Sequence, residues 1–325
     1  MKRNNIINIH NSNDFSEIAL EIFQFQAKNC SVYKEFLNLL TIDICEVKTI
    51  SQIPFLPVQF FKSHKIVSSK EVIQQVFLSS GTTGNAQSKH FVTDVSVYRK
   101  SFTKGFEYFY GAIEKFTVLA LLPSYLERNG SSLIYMANSF IKKSKNSKSG
   151  FYLNNLDELY QNLIELDKNN EKVLLIGVSF ALLDLVEKYK FKLKNTVIME
   201  TGGMKGRRKE LIREELHQVL KEGFGVNNIH SEYGMTELLS QAYSTGNGIF
   251  ECPPWMKILI RDTEDALTIL PTGKSGGINV IDLANINSCS FIATQDIGKT
   301  YTNGTFEVLG RFDNSDIRGC NLLVL

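Results

Sequence analysis

Six consecutive residues, Ser79-Ser80-Gly81-Thr82-Thr83-Gly84, put four hydroxyls and two glycines in one short stretch. The glycines let the main chain turn tightly and aim several N–H groups at one point. The hydroxyls add uncharged donors on short arms. A loop of this kind suits a polyphosphate, although the same composition also serves an ordinary surface turn. A second stretch, Tyr233-Gly234-Met235-Thr236-Glu237, carries complementary chemistry. Its ring can stack on a base, its glycine allows the turn around Met235, its threonine can donate to a phosphate, and its carboxylate can hold Mg²⁺. Two further places have the right residue types. Thr201-Gly202-Gly203 lets a ligand approach the backbone closely. Asp296 and Arg311 offer an acceptor for vicinal hydroxyls and a guanidinium fork for hydroxyls or phosphate. Each stretch taken singly is also what a solvated loop looks like.

The elements around these stretches decide whether they can meet. An apolar run, Val76-Phe77-Leu78, precedes the hydroxyl-rich loop and reads as a buried strand. Beyond the loop, continuous apolar runs at residues 116–122, 172–176 and 195–200, and a shorter one at 228–230, alternate with helical periodicity. Each ends in a Gly, Pro or Ser turn. That pattern predicts a mostly parallel sheet covered on both faces. Ligands sit at the carboxyl ends of such strands, and Gly202, Gly203, Tyr233 and Gly234 lie at those ends. From about Trp255 the pattern changes to short strands at 257–261, 277–282, 290–294 and 305–309, separated by Gly, Asn and Asp turns. This predicts a smaller, antiparallel, barrel-like subdomain.

The N-terminal part has two features. Residues 14–40 read as one helix, with Ile18, Ile22 and Phe25 on its buried face and Asp14 and Glu17 as a capping box. Residues 53–62 are apolar but interrupted by Pro54 and Pro57, which reads as a buried connector or as one wall of an acyl or aryl pocket. The expected divisions are an N-terminal helical, substrate-side segment (1–75), an α/β core (76–254) and a β-rich subdomain (255–325).

Composition excludes several classes. The chain has 325 residues, 43% hydrophobic and 22% charged, with a formal net charge of +2. It is ordinary globular composition with no electrostatic case for nucleic acid or an anionic membrane. No stretch approaches a membrane span, and the start shows no apolar run of signal-peptide length. Five scattered cysteines without a CxxC pair suggest free thiols in a cytoplasmic protein. Gly273-Lys274-Ser275 ends like a Walker A loop, but Thr268 stands where that motif needs glycine. Gly177-Val178-Ser179-Phe180-Ala181 is a partial nucleophile elbow, and Ser179 is its only nucleophile.

The order and spacing of SSGTTG and YGMTE resemble the adenylate-forming superfamily of acyl-CoA ligases, and within it most closely the LuxE-like acyl-protein synthetases, from about Pro54 onward. The resemblance implies the large-domain fold of that superfamily, ATP and Mg²⁺ as cofactors, and a carboxylic acid substrate, fatty or aryl. It implies an ATP site built from Ser79 to Gly84, Gly202, Gly203 and Tyr233 to Met235, with Asp296 and Arg311 on the ribose. Thr236 and Glu237 are the catalytic pair, Glu237 also the metal ligand.

Two departures qualify the resemblance. The loop continues Asn85-Ala86-Gln87-Ser88-Lys89 rather than Gly-x-Pro-Lys, so Lys89 is only a candidate phosphate contact. The catalytic lysine of the usual small C-terminal domain has no counterpart before Leu325, so the expectation is a large domain lacking that small one. The segment Asp316-Ile317-Arg318-Gly319-Cys320-Asn321-Leu322 resembles the LuxE-like C-terminus, where a cysteine accepts the acyl group. Arg318 can lower the Cys320 thiol pKa, and Gly319 lets it swing. The expected function is acyl-AMP formation followed by transfer to Cys320, with a reductase or acyltransferase taking the acyl group onward. A CoA ligase, a non-catalytic nucleotide- or acyl-binding scaffold and a Ser179 hydrolase are the alternatives.

Overall fold

The helix expected over residues 14–40 is two helices, α1 (Ser12–Asn29) and α2 (Ser31–Leu39), parted at Cys30, whose backbone is extended at φ −90° and ψ 104°. The structure is a computed structural model and describes residues 6, 7, 9, 12–80, 87–123, 130–202 and 211–312. The buried stripe of α1 is Phe15, Ala19, Ile22, Phe23 and Gln26, with Ile18 and Phe25 only half-buried. The face rotates because Gln26 is pinned. Its Nε2 donates to the carbonyls of Asn285 and Ile286, both at 3.0 Å, and its Oε1 accepts from Ser290 N at 2.9 Å. Asp14 lies inside the first turn rather than at the cap; there its charge still meets the helix dipole favourably.

The proline-interrupted stretch is a packed connector. β1 (Leu56–Pro57) pairs in parallel alongside Ile292 and Ala293, and a single helical turn, α3 (Phe60–Ser63), follows. Phe55, Leu56 and Phe61 are buried. Next, β2 (Gln75–Leu78) and β3 (Lys89–Val92) form a two-stranded antiparallel hairpin outside the main sheet. The hydroxyl-rich loop therefore joins two antiparallel strands that lie outside the main sheet.

The α/β alternation is as the apolar runs predict. α4 (Val95–Tyr110), capped by the Asp94 carboxylate accepting from Ser96 N at 2.9 Å, leads through β4 (Thr117–Leu121), α5 (Ser132–Ser144), β5 (Gly150–Phe151) and α6 (Leu156–Lys168). β6 (Val173–Gly177), α7 (Ser179–Lys188), β7 (Thr196–Thr201), α8 (Arg213–Phe224) and β8 (His230–Tyr233) follow. Every residue of β4 and β6 is buried, as a strand covered on both faces requires.

Two short strands absent from the sequence expectations, β9 (Ala242–Ser244) and β10 (Ile249–Glu251), come before the antiparallel group. That group is β11 (Met256–Arg261), β12 (Ser275–Asp282), β13 (Phe291–Thr300) and β14 (Phe306–Arg311). Among the described residues, twelve strands make one mixed sheet in the order β11-β12-β13-β14-β10-β9-β8-β7-β6-β4-β5, with β1 added beside β13. β4 to β8 run parallel, and from β8 to β11 neighbours run antiparallel. The two missed strands matter because they join the parallel half to the antiparallel half. They bring the end of β8 beside β13 and β14.

Candidate active site

Tyr233, the last residue of β8, is 9% exposed and stands edge-on to Phe250 at 6.0 Å and Phe306 at 5.6 Å between ring centroids. Its hydroxyl donates to Asp296 Oδ2 at 2.8 Å. Asp296 and Arg311 lie directly opposite each other across β13 and β14, with Arg311 Nε 3.8 Å from Asp296 Oδ1. Burial raises the Asp296 carboxyl pKa, and the Tyr233 hydroxyl and the charges of Arg311 and Arg261 oppose it. Tyr233, Asp296 and Arg311 thus form one cluster. Tyr233 holds one carboxylate oxygen in place, while the exposed Arg311 guanidinium lies beside the other.

The loop after β8 is fastened by groups that local spacing does not reveal. The Thr236 carbonyl accepts from His90 Nδ1 at 2.9 Å, and the Glu237 carbonyl accepts from Asn285 Nδ2 at 2.7 Å. Leu239 N and Ser240 N donate to Asp282 Oδ2 at 2.8 and 2.9 Å, and the Ser240 hydroxyl donates to Oδ1 at 2.5 Å. Burial pushes the Asp282 carboxyl up to about 6, and these donors hold it down. With a value of about 6 it is mostly ionised at pH 7 and can accept from all of them.

Glu237 is 6% exposed. Burial raises its pKa, opposed by the Ser88 hydroxyl donating to it and by the charges of Arg311 and Lys62. Ser88 also links to Ser79: its N–H donates to Ser79 Oγ at 2.9 Å, and Ser79 N donates to its carbonyl at 3.1 Å. Ser79 and Ser88 are therefore bonded to each other, and Ser88 lies beside Glu237. Ser80 and Lys89 are exposed beside this junction, and Met235 and Thr236 are half-buried. Gly81, Thr82, Thr83, Gly84, Gly203 and Cys320 lie outside the described residues.

Gly202, at the end of β7, has φ +67°, a conformation that costs an L side chain and suits glycine. Its carbonyl accepts from the Ser179 hydroxyl at 2.6 Å, and that hydroxyl also lies 3.2 Å from Glu200 Oε2. Ser179 is buried and its partners are acceptors, so it fastens the start of α7 to the end of β7 and is not presented as a nucleophile. His230 is turned away from the loop: its Nδ1 lies 3.2 Å from Tyr110 Oη, and burial lowers it to about 4.

Sequence reasoning missed His90, Ser88, Asp282, Asn285 and Arg261. His90 is fully buried between Thr236 and Ser288, whose Oγ is 2.9 Å from Nε2. Since a carbonyl only accepts, Nδ1 carries the proton and Nε2 accepts from Ser288. Arg261 donates through Nη2 to Thr294 O at 2.6 Å and through Nη1 to Ile278 O at 2.8 Å, which sets its charge behind Asp296. The one available signal was for His90, a polar residue at an inward position of an alternating strand directly after the loop.

Comparison with known proteins agrees with this fold. ATP-bound MatB from Rhodopseudomonas palustris is similar in fold, with a TM-score of 0.56 and 16% identity over 75% of this chain and 49% of that one. A 2-hydroxyisobutyryl-CoA ligase in complex with 2-HIB-AMP and CoA gives a TM-score of 0.67 with 11% identity over 93% of this chain and 68% of that one. The chain thus spans about half the length of MatB, and its fold is that of the adenylate-forming ligases. No curated protein matches it. The model of the family described as acyl-protein synthetase, LuxE, matches residues 10–325. With that match running over nearly its whole length, the chain belongs to the LuxE acyl-protein synthetase family.

Proposed function

We propose that this protein uses ATP to activate a carboxylic acid as acyl-AMP and then transfers the acyl group to a thiol, that of Cys320. The observation that carries the reading is the junction of Ser79, Ser88 and Glu237 beside the Tyr233, Asp296 and Arg311 cluster. A buried carboxylate next to the residues that flank the hydroxyl-rich loop, with an Asp–Arg pair bonded to Tyr233 nearby, supports a site for a nucleotide with its phosphates.

In the first step a carboxylate oxygen of the acid attacks the α-phosphorus of ATP, the bond to the β-phosphate breaks, and pyrophosphate leaves. Asp296 accepts from the ribose hydroxyls, and Arg311 binds ribose or phosphate. Ser79 to Gly84, with Gly202 and Gly203 lining the base side, and Thr236 donate to or border the nucleotide. Tyr233, Gly234 and Met235 shape the loop that carries them. These residues position reactants and neutralise charge. In the second step the Cys320 thiolate attacks the acyl carbonyl and AMP leaves. The thioester then serves an acyl-accepting protein such as a reductase or acyltransferase.

Glu237 fits Mg²⁺. It is a buried carboxylate whose charge burial disfavours, and a cation offsets that cost. Among the described residues no three His, Cys, Asp or Glu side chains form a cage, so phosphate oxygens and water would complete the shell, as Mg²⁺ prefers. When bound it would neutralise charge on the phosphates. Among the described residues no helix is long and apolar enough to cross a membrane.

The test is intact mass of the protein after incubation with ATP, Mg²⁺ and a pool of acids, with AMP assayed alongside. One added acyl group, removed by hydroxylamine and absent in Cys320→Ser while AMP release persists, is the expected result. AMP release with an acylated Cys320→Ser protein, or with no acylation at all, moves the acceptor elsewhere, to CoA or a partner. No acid-dependent AMP release sinks adenylation.

A further inference from the structure

The face of β8 opposite Tyr233 carries an unexplained polar group. Glu232 pairs across β8 and β9 with Tyr243, and Gln241, two residues before Tyr243, projects on the same face. Gly234 lies between them, where any side chain would meet the Glu232 carboxyl and Gln241 Cγ. Thr201 Oγ1, from β7, donates to Glu232 Oε2 at 2.6 Å. The Tyr243 ring packs against α4 at Gly105, 5.4 Å from the Phe109 centroid and 5.6 Å from that of Tyr110. Gln241 is 5% exposed and Tyr243 1% exposed, yet Gln241 Oε1 and Tyr243 Oη have no hydrogen-bond partner.

An unmade hydrogen bond at a buried polar atom costs on the order of 1–3 kcal/mol, so two beside a mostly buried carboxyl call for a reason. The position supplies one. Gly202 and Gly234 are exposed at adjoining strand ends, Glu232 is half-buried beside them, Glu237 is on the loop that starts at Gly234, and Asp296 on β13 is bonded to the neighbouring Tyr233. Burial also pushes the Glu232 carboxyl up to about 7, so one partner would let it act in either protonation state.

We propose that Glu232, Gln241 and Tyr243 form the part of the site that reads the acyl substituent, and that the acid is one carrying a hydroxyl or amino group rather than a plain hydrocarbon chain. This rests on the adenylation reading above. A carboxyl and an amide oxygen are acceptors, so the ligand must donate; the Tyr243 hydroxyl supplies the reciprocal donor. An unsubstituted acid would leave Gln241 Oε1 and Tyr243 Oη buried and unpaired. Sites built to hydrogen-bond a substrate OH or NH reject analogues lacking it far more strongly than apolar pockets reject an extra methylene.

The test is acid-dependent ATP–pyrophosphate exchange with matched acids that are unsubstituted, hydroxylated or aminated at successive carbons. The expected result is a kcat/KM about 100-fold or more above the unsubstituted parent for a hydroxy or amino acid. Whether the hydroxyl or the amine wins identifies the donor. Tyr243→Phe should lower the ratio of substituted to parent kcat/KM about tenfold while leaving the Tm equal or higher, since it removes an unpaired buried hydroxyl. A merely structural tyrosine would leave that ratio alone. Equal or better exchange with the parent acids, or a ratio unmoved by both Tyr243→Phe and Glu232→Gln, overturns the proposal. If no acid supports exchange, thermal shift with the same acids separates the two readings. A shift with substituted acids that Glu232→Gln abolishes keeps the subsite and rejects only adenylation; no such shift rejects the subsite too.

Discussion

His90 Nδ1 lies 2.9 Å from the carbonyl oxygen of Thr236, so the strand that leaves the hydroxyl-rich loop is bonded to the loop that carries Glu237. A fully buried imidazole, lowered to about 4 by that burial, stays neutral and keeps one ring nitrogen as donor and the other as acceptor. An asparagine amide nitrogen can take the place of Nδ1 as donor, and a glutamine amide oxygen that of Nε2 as acceptor. His90→Asn should therefore keep most pyrophosphate exchange, whereas His90→Gln should lose about tenfold in kcat with a similar fall in Tm for both. Equal losses of activity would assign His90 to packing alone.

Tyr233 and Asp296 give a second prediction. Removing the hydroxyl in Tyr233→Phe leaves a buried carboxylate short of a donor and free to turn. Hydrogen bonds to charged groups are worth about 1.5–3 kcal/mol, so KM for ATP should rise about tenfold or more with little change in KM for the acid. An unchanged KM for ATP would remove Asp296 from the ribose.

Glu237 bears on the metal. Glu237→Gln keeps the shape and the Ser88 contact but not the charge. The Mg²⁺ concentration for half-maximal exchange should rise at least about tenfold, because a neutral amide is a poorer ligand for a hard cation. Isothermal calorimetry with an ATP analogue, with and without Mg²⁺, checks this independently of turnover.

Glu232 makes stability depend on pH. Its folded value of about 7 stands above its ordinary 4.5 because burial disfavours the charge. Between those values the folded state holds a proton that the unfolded chain has released, so stability is greatest below about 4.5 and falls as pH rises through 7. The Tm of Glu232→Gln should vary less than that of the natural sequence over this interval. Identical slopes would show that Glu232 ionises normally.

Much of the molecule follows from local chemistry. The all-apolar runs could only be strands covered on both faces, and their Gly and Ser turns had to fall at the carboxyl ends, so Gly202, Tyr233 and Gly234 could be placed from periodicity alone. The antiparallel strands after Trp255 were equally legible from alternation and turn residues. What only the tertiary structure decided is which of these ends meet. β9 and β10 are three residues each, too short for a periodic signal, yet they bring Tyr233 to Asp296, 63 positions away. The face of α1 was misjudged because a glutamine, not an apolar residue, is its deepest anchor, with partners about 260 residues distant. The same holds for His90, Asp282 and Asn285. Their work is to satisfy buried backbone groups of a remote loop, and a sequence shows which groups need partners without showing which residues will stand beside them.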